Sequence, residues 1–451
     1  MPKPNFVLVV VDDASAVQMR RFLPLARRRL ADLGAVTLDF QAGYVTTPLC
    51  CPSRASILTG DYAHTTGIHF NGGPEGGAAT FAANGKDKDT IATRLKAAGY
   101  VTGLVGKYLN GYEKMPGPYV PPGWDFWRAL HDLGAGGYLG YKIATEGGTL
   151  ISYGSTDADY STDVLKQWAI RFLRKAAGSP FFLLFAPIAP HAPAIPAARH
   201  QSAHPDLAGA PRPPNYANAA DKAKKPAWVQ GLAWPPSLEA EDDALYAGQA
   251  RTLGAVDEAI RDLADKLAAD GTFADTVFIV LSDNGFSHGE HFWKGKGCEY
   301  EPAVRTALAI ASKRFAAASA VRSQIAGNVD LAPTIAELAG HAHPAPLGGT
   351  SLVEAILSPD KRPRSDLLLE RKSANPTGAG TRANPIPTWD GVVAERGDSI
   401  WKYVELAGGS LGRELYDLTK DPFELSNVVE NPAHGALVAG LALRIRELKT
   451  A

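Results

Sequence analysis

Asp12 and Asp13 follow the apolar run NFVLVVV, and far along the chain Asp283 and Asn284 follow VFIVLS. Hard oxygen ligands at the ends of two buried strands suit a divalent cation of the calcium or magnesium kind. Either pair alone is an ordinary turn former, so it is the repetition of the pattern that points to a shared ion. Between the pairs lies PLCCPSRASILTG, residues 48–60, where two of the chain's three cysteines, Cys50 and Cys51, are adjacent. Three cysteines, two of them neighbours, make no disulfide framework. The sulfur has another use.

Positioning such residues is the task of the elements around them. NFVLVVV is a continuous β-branched run of the kind a strand buried on both faces requires. TIATRLKAAGY has helical spacing and a glycine stop, and VTGLVGK follows it as a strand. DVLKQWAIRFLRKA reads as an amphipathic helix leading into the strand PFFLLFAPIAPH, and a long helix over about 242–270 precedes TVFIVLSDNG. This alternation implies βαβ crossovers and an α/β fold with a large, mostly parallel sheet sandwiched by helices. In open sheets of this kind ligand sites form at the C-terminal ends of the strands, where both acidic pairs stand. Residues 192–236, rich in proline and alanine, read as a functional loop region, and 372–388 as a flexible loop or boundary. Beyond it, short strands with turns and a closing helix over about 434–449 make a smaller C-terminal α+β subdomain on a short antiparallel sheet. The division falls into 1–370, the catalytic unit, and 371–451.

Composition excludes several classes. Lysine and arginine total 46 against 47 acidic residues, which leaves no electrostatic footprint for nucleic acid or an anionic membrane. No run approaches the ~18 apolar residues of a membrane span. The opening apolar run is too short for a signal-peptide core, so the chain as given is expected in the cytoplasm. GGPEGG and GAGGYLG lack the strand–glycine–helix context of a dinucleotide site and read as loops.

The stretch LCCPSRASILTGDY carries Cys-x-Pro-Ser-Arg followed by Leu-Thr-Gly, with Cys50 first and Cys51 at x. Together with VVVDD, GKYLNGY, APHAP, SDNGFSHGEHFWKGKGCEYE, WKYVEL and ELYDLTKDPFELSN, it resembles a sulfatase of the alkaline phosphatase superfamily along nearly the full length. The motifs are most similar to the N-acetylglucosamine-6-sulfatase and arylsulfatase branch. The resemblance implies an alkaline phosphatase-like fold and hydrolysis of sulfate monoesters. It implies Ca2+, with Mg2+ or Mn2+ as alternatives, held by Asp12, Asp13, Cys50, Asp283 and Asn284. It also implies that a formylglycine-generating maturation enzyme oxidises Cys50, whose formylglycine hydrate is then the nucleophile. Pro52, Ser53 and Arg54 would be the tag for that oxidation, with Arg54 kept in the site, and Cys51 would be core packing. Lys107 matches the family's site lysine. His191 matches the histidine that contacts sulfate and protonates the leaving oxygen. Lys296 matches the second sulfate-binding lysine, with Lys294 as runner-up.

One departure stands out. Where many sulfatases have Gly-Lys-Trp-His, GKYLN puts Leu109 in the histidine's place. Asn110, or a histidine such as His64, His288 or His291, would then serve in regenerating the aldehyde; His64 and His69 read equally well as packing or substrate-contact residues. The resemblance implies a small-molecule or saccharide sulfate ester as the substrate. Aryl, sugar and alkyl esters are not told apart by the loops 71–85, 116–155 and 192–236, although Trp124, Trp127 and Tyr138 could stack on a ring or pack in the core. A phosphonate monoester or phosphodiester hydrolase of the same superfamily is the rival reading. A non-enzymatic binding protein would have lost ligands, and none is lost.

Overall fold

The computed structural model describes residues 3–315, 321–341, 348–374 and 385–450. Most of the loop expected at 372–388 lies outside them. The large sheet is built from β1 (Asn5–Val11), β2 (Val36–Tyr44), β3 (Val101–Gly106), β4 (Phe126–Asp132), β5 (Lys142–Thr145), β6 (Leu150–Ser152), β7 (Phe181–Ala186) and β8 (Thr276–Ser282). After a small hairpin of β9 (Ser287–His288) and β10 (Lys294–Gly295) it adds β11 (Leu308–Ser312) and β12 (Val321–Gly327). The order across its ten strands is β12-β2-β11-β8-β1-β7-β3-β4-β5-β6.

The centre of the sheet explains the apolar runs. Strands β8, β1, β7, β3 and β4 are mutually parallel neighbours, and all seven residues of β1 are buried. Successive side chains of a strand point to opposite faces, and β1 divides accordingly. Val7, Val9 and Val11 join a core that includes the long helix Pro236–Ala269 and the helix Ser161–Lys175. Phe6, Leu8 and Val10 join a second core with the helices Cys50–Thr59, Ile91–Ala97 and Leu331–Leu338. A strand buried on both faces has no polar positions to spare, hence the unbroken run.

The long helix begins six residues before the expected position 242, at Pro236. Its first turns carry good helix formers but no apolar stripe, so periodicity gives no sign of them, while proline at N1 suits a helix start. In the region 192–236 the chain forms the short helices Ala219–Lys222 and Ala227–Gln230 and a 3-10 turn at Ala198–His200.

The C-terminal sheet is antiparallel, ordered β13 (Asp366–Arg371), β14 (Trp389–Arg396), β15 (Ser399–Leu406) and β16 (Arg413–Asp417). Its opening strand begins before the 370/371 division and crosses it by one residue, because DLLLER is a buried apolar strand and the loop-like composition begins only after it. The helix Gly435–Thr450 packs on this sheet through Val438, Leu441 and Ile445. Among the described residues no helix is long and apolar enough to cross a membrane.

Candidate active site

Parallel neighbours place their C-terminal ends on one edge of the sheet, and the ladder extends past the strands there. Asp12 N–H donates to the Ala189 carbonyl (3.2 Å), Asp283 N–H to Val11 (3.0 Å) and Lys107 N–H to Ala186 (2.7 Å). This registers the ends of β1, β8, β3 and the loop after β7 side by side. Gly106, just before Lys107, has φ +121°, and a Cβ there would stand 2.0 Å from the Ala186 carbonyl oxygen, so only glycine lets the two strands close. Asp13 has φ +65°, a left-handed conformation uncommon outside glycine. The twist breaks the strand's alternation, and ligand atoms of Asp12, Asp13, Cys50 and His191 lie within 4.8 Å of one another.

Cys50 opens the helix Cys50–Thr59, whose N-cap Leu49 offers no side-chain acceptor. Other residues fix that end. Asn71 Oδ1 accepts from Cys51 N–H (3.0 Å), and Asn328 accepts from Thr46 N–H (2.9 Å) while donating to Ser53 Oγ (2.8 Å). Asn328 thereby ties the incoming loop to the first helical turn. One turn on, Arg54 donates from Nε to Asp283 Oδ2 (2.7 Å) and from Nη1 to the Lys107 carbonyl (3.1 Å), with Nη2 4.0 Å from Asp12 Oδ2.

Three cations thus meet three carboxylates. Lys107 Nζ donates to Asp12 Oδ2 (2.5 Å), and Lys296 Nζ reaches Asp13 Oδ1 (2.5 Å) and Cys50 Sγ (2.8 Å). Burial alone would raise Asp12, but Lys107, His191, Arg54 and Lys296 outweigh it and hold that carboxyl well below the usual range. Asp13 is likewise held down, against burial, chiefly by Lys296. Asp283 is pushed up by burial and by Asp12, against Arg54. Burial pushes the Cys50 thiol to about 12 despite Lys107 and Lys296, so as a thiol it stays protonated at neutral pH.

The donor set fits a divalent cation. Asn284 Nδ2 donates to Asp13 Oδ1 (2.8 Å), while its Oδ1 is buried without a partner. A buried amide oxygen beside ionised Asp12 and Asp13 is a ligand set of all-oxygen type. The site opens toward solvent on one side, where His191 is 35% and Lys296 19% exposed while Asp12 is fully buried. His191 Nδ1 faces the Ala192 carbonyl (2.6 Å) and Nε2 lies 3.6 Å from Asp13 Oδ2.

The structure therefore gathers Asp12, Asp13, Cys50, Arg54, Lys107, His191, Asp283, Asn284 and Lys296. It separates the lysines of the glycine-rich loop, since Lys294 pairs with Glu241 (2.6 Å) instead. His64 pairs with Glu370 (2.9 Å), buried His288 with Asp242 (3.1 Å) and buried His291 with Asp221 (2.7 Å). None of the three is hydrogen-bonded to the cluster. Asn110 keeps a buried, unpartnered Oδ1, and its carbonyl accepts from Ala78 N–H (2.9 Å). Cys51 lies in the second core, as expected of it. Trp124, Trp127 and Tyr138 are buried and unavailable for stacking on a substrate. Tyr138 instead donates its hydroxyl to the His191 carbonyl (2.7 Å) and holds that loop. Asn71 and Asn328 escape a reading of motifs because single polar residues in loops carry no spacing signal.

The family described as Sulfatase matches residues 4–341, and that described as N-sulphoglucosamine sulphohydrolase, C-terminal, matches 289–451. The chain is 31% identical over 369 residues to the extracellular sulfatase Sulf-1 homolog of Caenorhabditis elegans, a match over 79% of this chain but 50% of that relative, so it spans half of the relative's length. It is 30% identical over 475 residues to an arylsulfatase of Volvox carteri, covering 94% of this chain and 71% of the relative. It is 29% identical over 459 residues to N-acetylglucosamine-6-sulfatase of Homo sapiens, covering 95% and 81%. Among solved structures, BT4656 in complex with its substrate D-glucosamine-2-N,6-O-disulfate matches with TM-score 0.78 at 22% identity, over 100% of this chain and 98% of that one. Phosphonate monoester hydrolase of Agrobacterium radiobacter matches with TM-score 0.74 at 20% identity, over 99% and 96%. These two share the fold, which is the expected alkaline phosphatase-like one. The likeness runs through nearly the whole chain, which belongs to the sulfatase family and resembles its N-acetylglucosamine-6-sulfatase and arylsulfatase branch.

Proposed function

We propose that the protein hydrolyses sulfate monoesters to an alcohol and inorganic sulfate, with Cys50 acting after oxidation to formylglycine by a maturation enzyme. The observation that carries this reading is the place of Cys50 Sγ, 2.8 Å from Lys296 Nζ and beside Asp12 and Asp13. A thiol pushed to about 12 is a poor nucleophile at neutral pH. The same position, occupied by the hydroxyl of a formylglycine hydrate, would suit an oxygen nucleophile. Asp12, Asp13, Asp283 and Asn284 would hold a divalent cation, with calcium favoured by all-oxygen donors. Such an ion, when bound, lowers the pKa of an adjacent hydroxyl and offsets charge on ester oxygens.

The chain's own groups have distinct tasks. Lys107 and Lys296 present fixed positive charge where the equatorial oxygens of the ester gain charge. Arg54 keeps Asp283 in place from the helix below. The Ala192 carbonyl can only accept, so His191 Nδ1 carries the hydrogen of that contact and Nε2 faces the site, 3.6 Å from Asp13 Oδ2. A proton carried at Nε2 is the one to give to the departing alcohol oxygen. A saccharide 6-sulfate is the finer reading, supported by the relatives named for N-acetylglucosamine 6-sulfate.

Mass spectrometry of the peptide containing Cys50, together with parallel assays on 4-nitrophenyl sulfate and a 4-nitrophenyl phosphonate monoester, tests the proposal. The expected outcome is conversion of Cys50 and preference for the sulfate ester. Activity in a preparation whose Cys50 is entirely thiol would overturn the nucleophile, and preference for the phosphonate would favour the rival hydrolase.

A further inference from the structure

Arg371, the last residue of β13, differs from the other enclosed arginines. Arg54 pairs with Asp283, Arg364 with Asp330 (2.8 Å) and Arg305 with Glu301 (3.2 Å), and Arg322 donates to the Ala355 carbonyl (2.6 Å). Half-buried Arg371 has no hydrogen bond or ion pair among the described residues, and its Nε and Nη1 are shut off from water without a partner. Burial pushes this guanidinium's pKa down, with only Cys298 and Glu299 acting against it. An enclosed guanidinium left unpaired by the described residues is destabilising to the fold, so it calls for a partner beyond them.

Its place suggests what that partner is. A Cβ at Gly297 (φ +91°) would meet Arg371 Nε at 2.9 Å, Cζ at 3.1 Å and Nη2 at 3.2 Å, so the guanidinium lies flat against the residue that follows Lys296. Trp389, paired with Arg371 across β13 and β14, donates to the Gly297 carbonyl (3.1 Å) and fixes that contact. On the other side, Glu370 N–H donates to the Thr46 carbonyl (2.8 Å), in the loop that feeds Cys50. Arg371 thus stands between the loop bearing Lys296 and the loop bearing Cys50, at the junction of the two units. Resting on the sulfatase reading above, we propose that Arg371 is a specificity-determining residue that binds a second anionic group of the substrate, a sulfate, sulfamate or carboxylate distinct from the ester hydrolysed. The substrates favoured would then be acidic saccharide sulfates over neutral aryl or alkyl sulfates.

The test compares wild type, Arg371→Gln and Arg371→Lys on four esters. 4-Nitrophenyl sulfate and N-acetylglucosamine 6-sulfate lack a second anion. Glucosamine 2-N,6-O-disulfate carries a sulfamate, and a uronate 2-sulfate carries a carboxylate, so the last two identify the anion's source. From the strength of charge-assisted hydrogen bonds, Arg371→Gln should lose about 10- to 100-fold in kcat/KM on at least one doubly anionic ester, mainly in KM, and under about threefold on the two singly anionic ones. Arg371→Lys should recover part of the loss. The thermal midpoint of Arg371→Gln should hold or rise, since a structural arginine would lower it. Equal loss on all four esters, or no loss on either doubly anionic one, overturns the assignment while a wild type active on 4-nitrophenyl sulfate leaves the sulfatase reading intact. A wild type inactive on every ester overturns both.

Discussion

His191 is the member of the cluster most open to solvent, and its two nitrogens are already differentiated by the Ala192 carbonyl on one side and Asp13 on the other. A proton donor matters only where the leaving oxygen needs a proton. 4-Nitrophenolate departs without one, whereas a sugar alkoxide does not. His191→Ala is therefore expected to lose about 10²- to 10⁴-fold in kcat on a sugar 6-sulfate and under about tenfold on 4-nitrophenyl sulfate; equal losses on the two would remove His191 from the acid role. At this scale much of the site was legible. The acidic pairs and the Cys50 stretch announce themselves by type and position. Glycines at 295 and 297 blur the register of the loop, and only geometry shows Lys296 beside Cys50 and Lys294 beside Glu241. Arg371 left no trace in the pattern, being one arginine at the end of an apolar strand.

Elements set the precision with which Cys50 is held. The helix that begins there has no side-chain N-cap; Asn71 accepts from Cys51 N–H instead, and Asn328, from the turn before Leu331–Leu338, ties the incoming loop to the first turn by bridging Thr46 and Ser53. Removing the amide strands a buried N–H and a buried hydroxyl. Asn328→Ala should destabilise the protein by about 2 to 4 kcal/mol in denaturant unfolding, and loosening of the Cys50 end should lower kcat by more than KM rises. Wild-type kcat in a folded variant would show that the clamp serves stability alone. The buried strands β1, β3, β7 and β8 were readable because both faces are apolar. The short strands β5 and β6 were not, since four and three residues are too few to show a period, and only pairing with neighbours makes them strands. β2 does alternate, with Leu38, Phe40 and Ala42 buried and Asp39 and Gln41 half-buried, and a reading of motifs passes over it.

At the scale of the molecule, the C-terminal sheet meets the segment around residues 299–301 over a buried polar network that belongs to stability and not to the cluster at Cys50. Glu299 accepts from Trp228 Nε1 (3.0 Å) and keeps its other oxygen buried and unpartnered. Lys402 of β15 bonds the Glu299 carbonyl (2.9 Å) and pairs with Glu301 and Glu424. Burial, together with Glu414, pushes Glu299 from its ordinary 4.5 up to about 8, and burial, against Lys402, pushes Glu424 up to about 7. His291 in the same network moves the other way, from 6.5 down to about 4, chiefly by burial. The signs follow from which state holds more protons. Where the carboxyl pKa is raised, the folded chain keeps a proton that the unfolded chain has released, so stability is full below 4.5 and lost as pH rises toward 8. His291 opposes this only between 4 and 6.5, where the unfolded chain takes up a proton that the folded one refuses. Two carboxyls outweigh one imidazole there, and above 6.5 nothing in the network opposes them. Thermal unfolding between pH 5 and 8 should show a midpoint that falls as pH rises. Glu299→Gln, which keeps an acceptor for Trp228 and cannot ionise, should flatten that slope by up to about 1.4 kcal/mol per pH unit. An unchanged slope in the variant would place the proton elsewhere than on Glu299, and a slope of opposite sign in the wild type would mean that Glu299 is ionised in the folded protein.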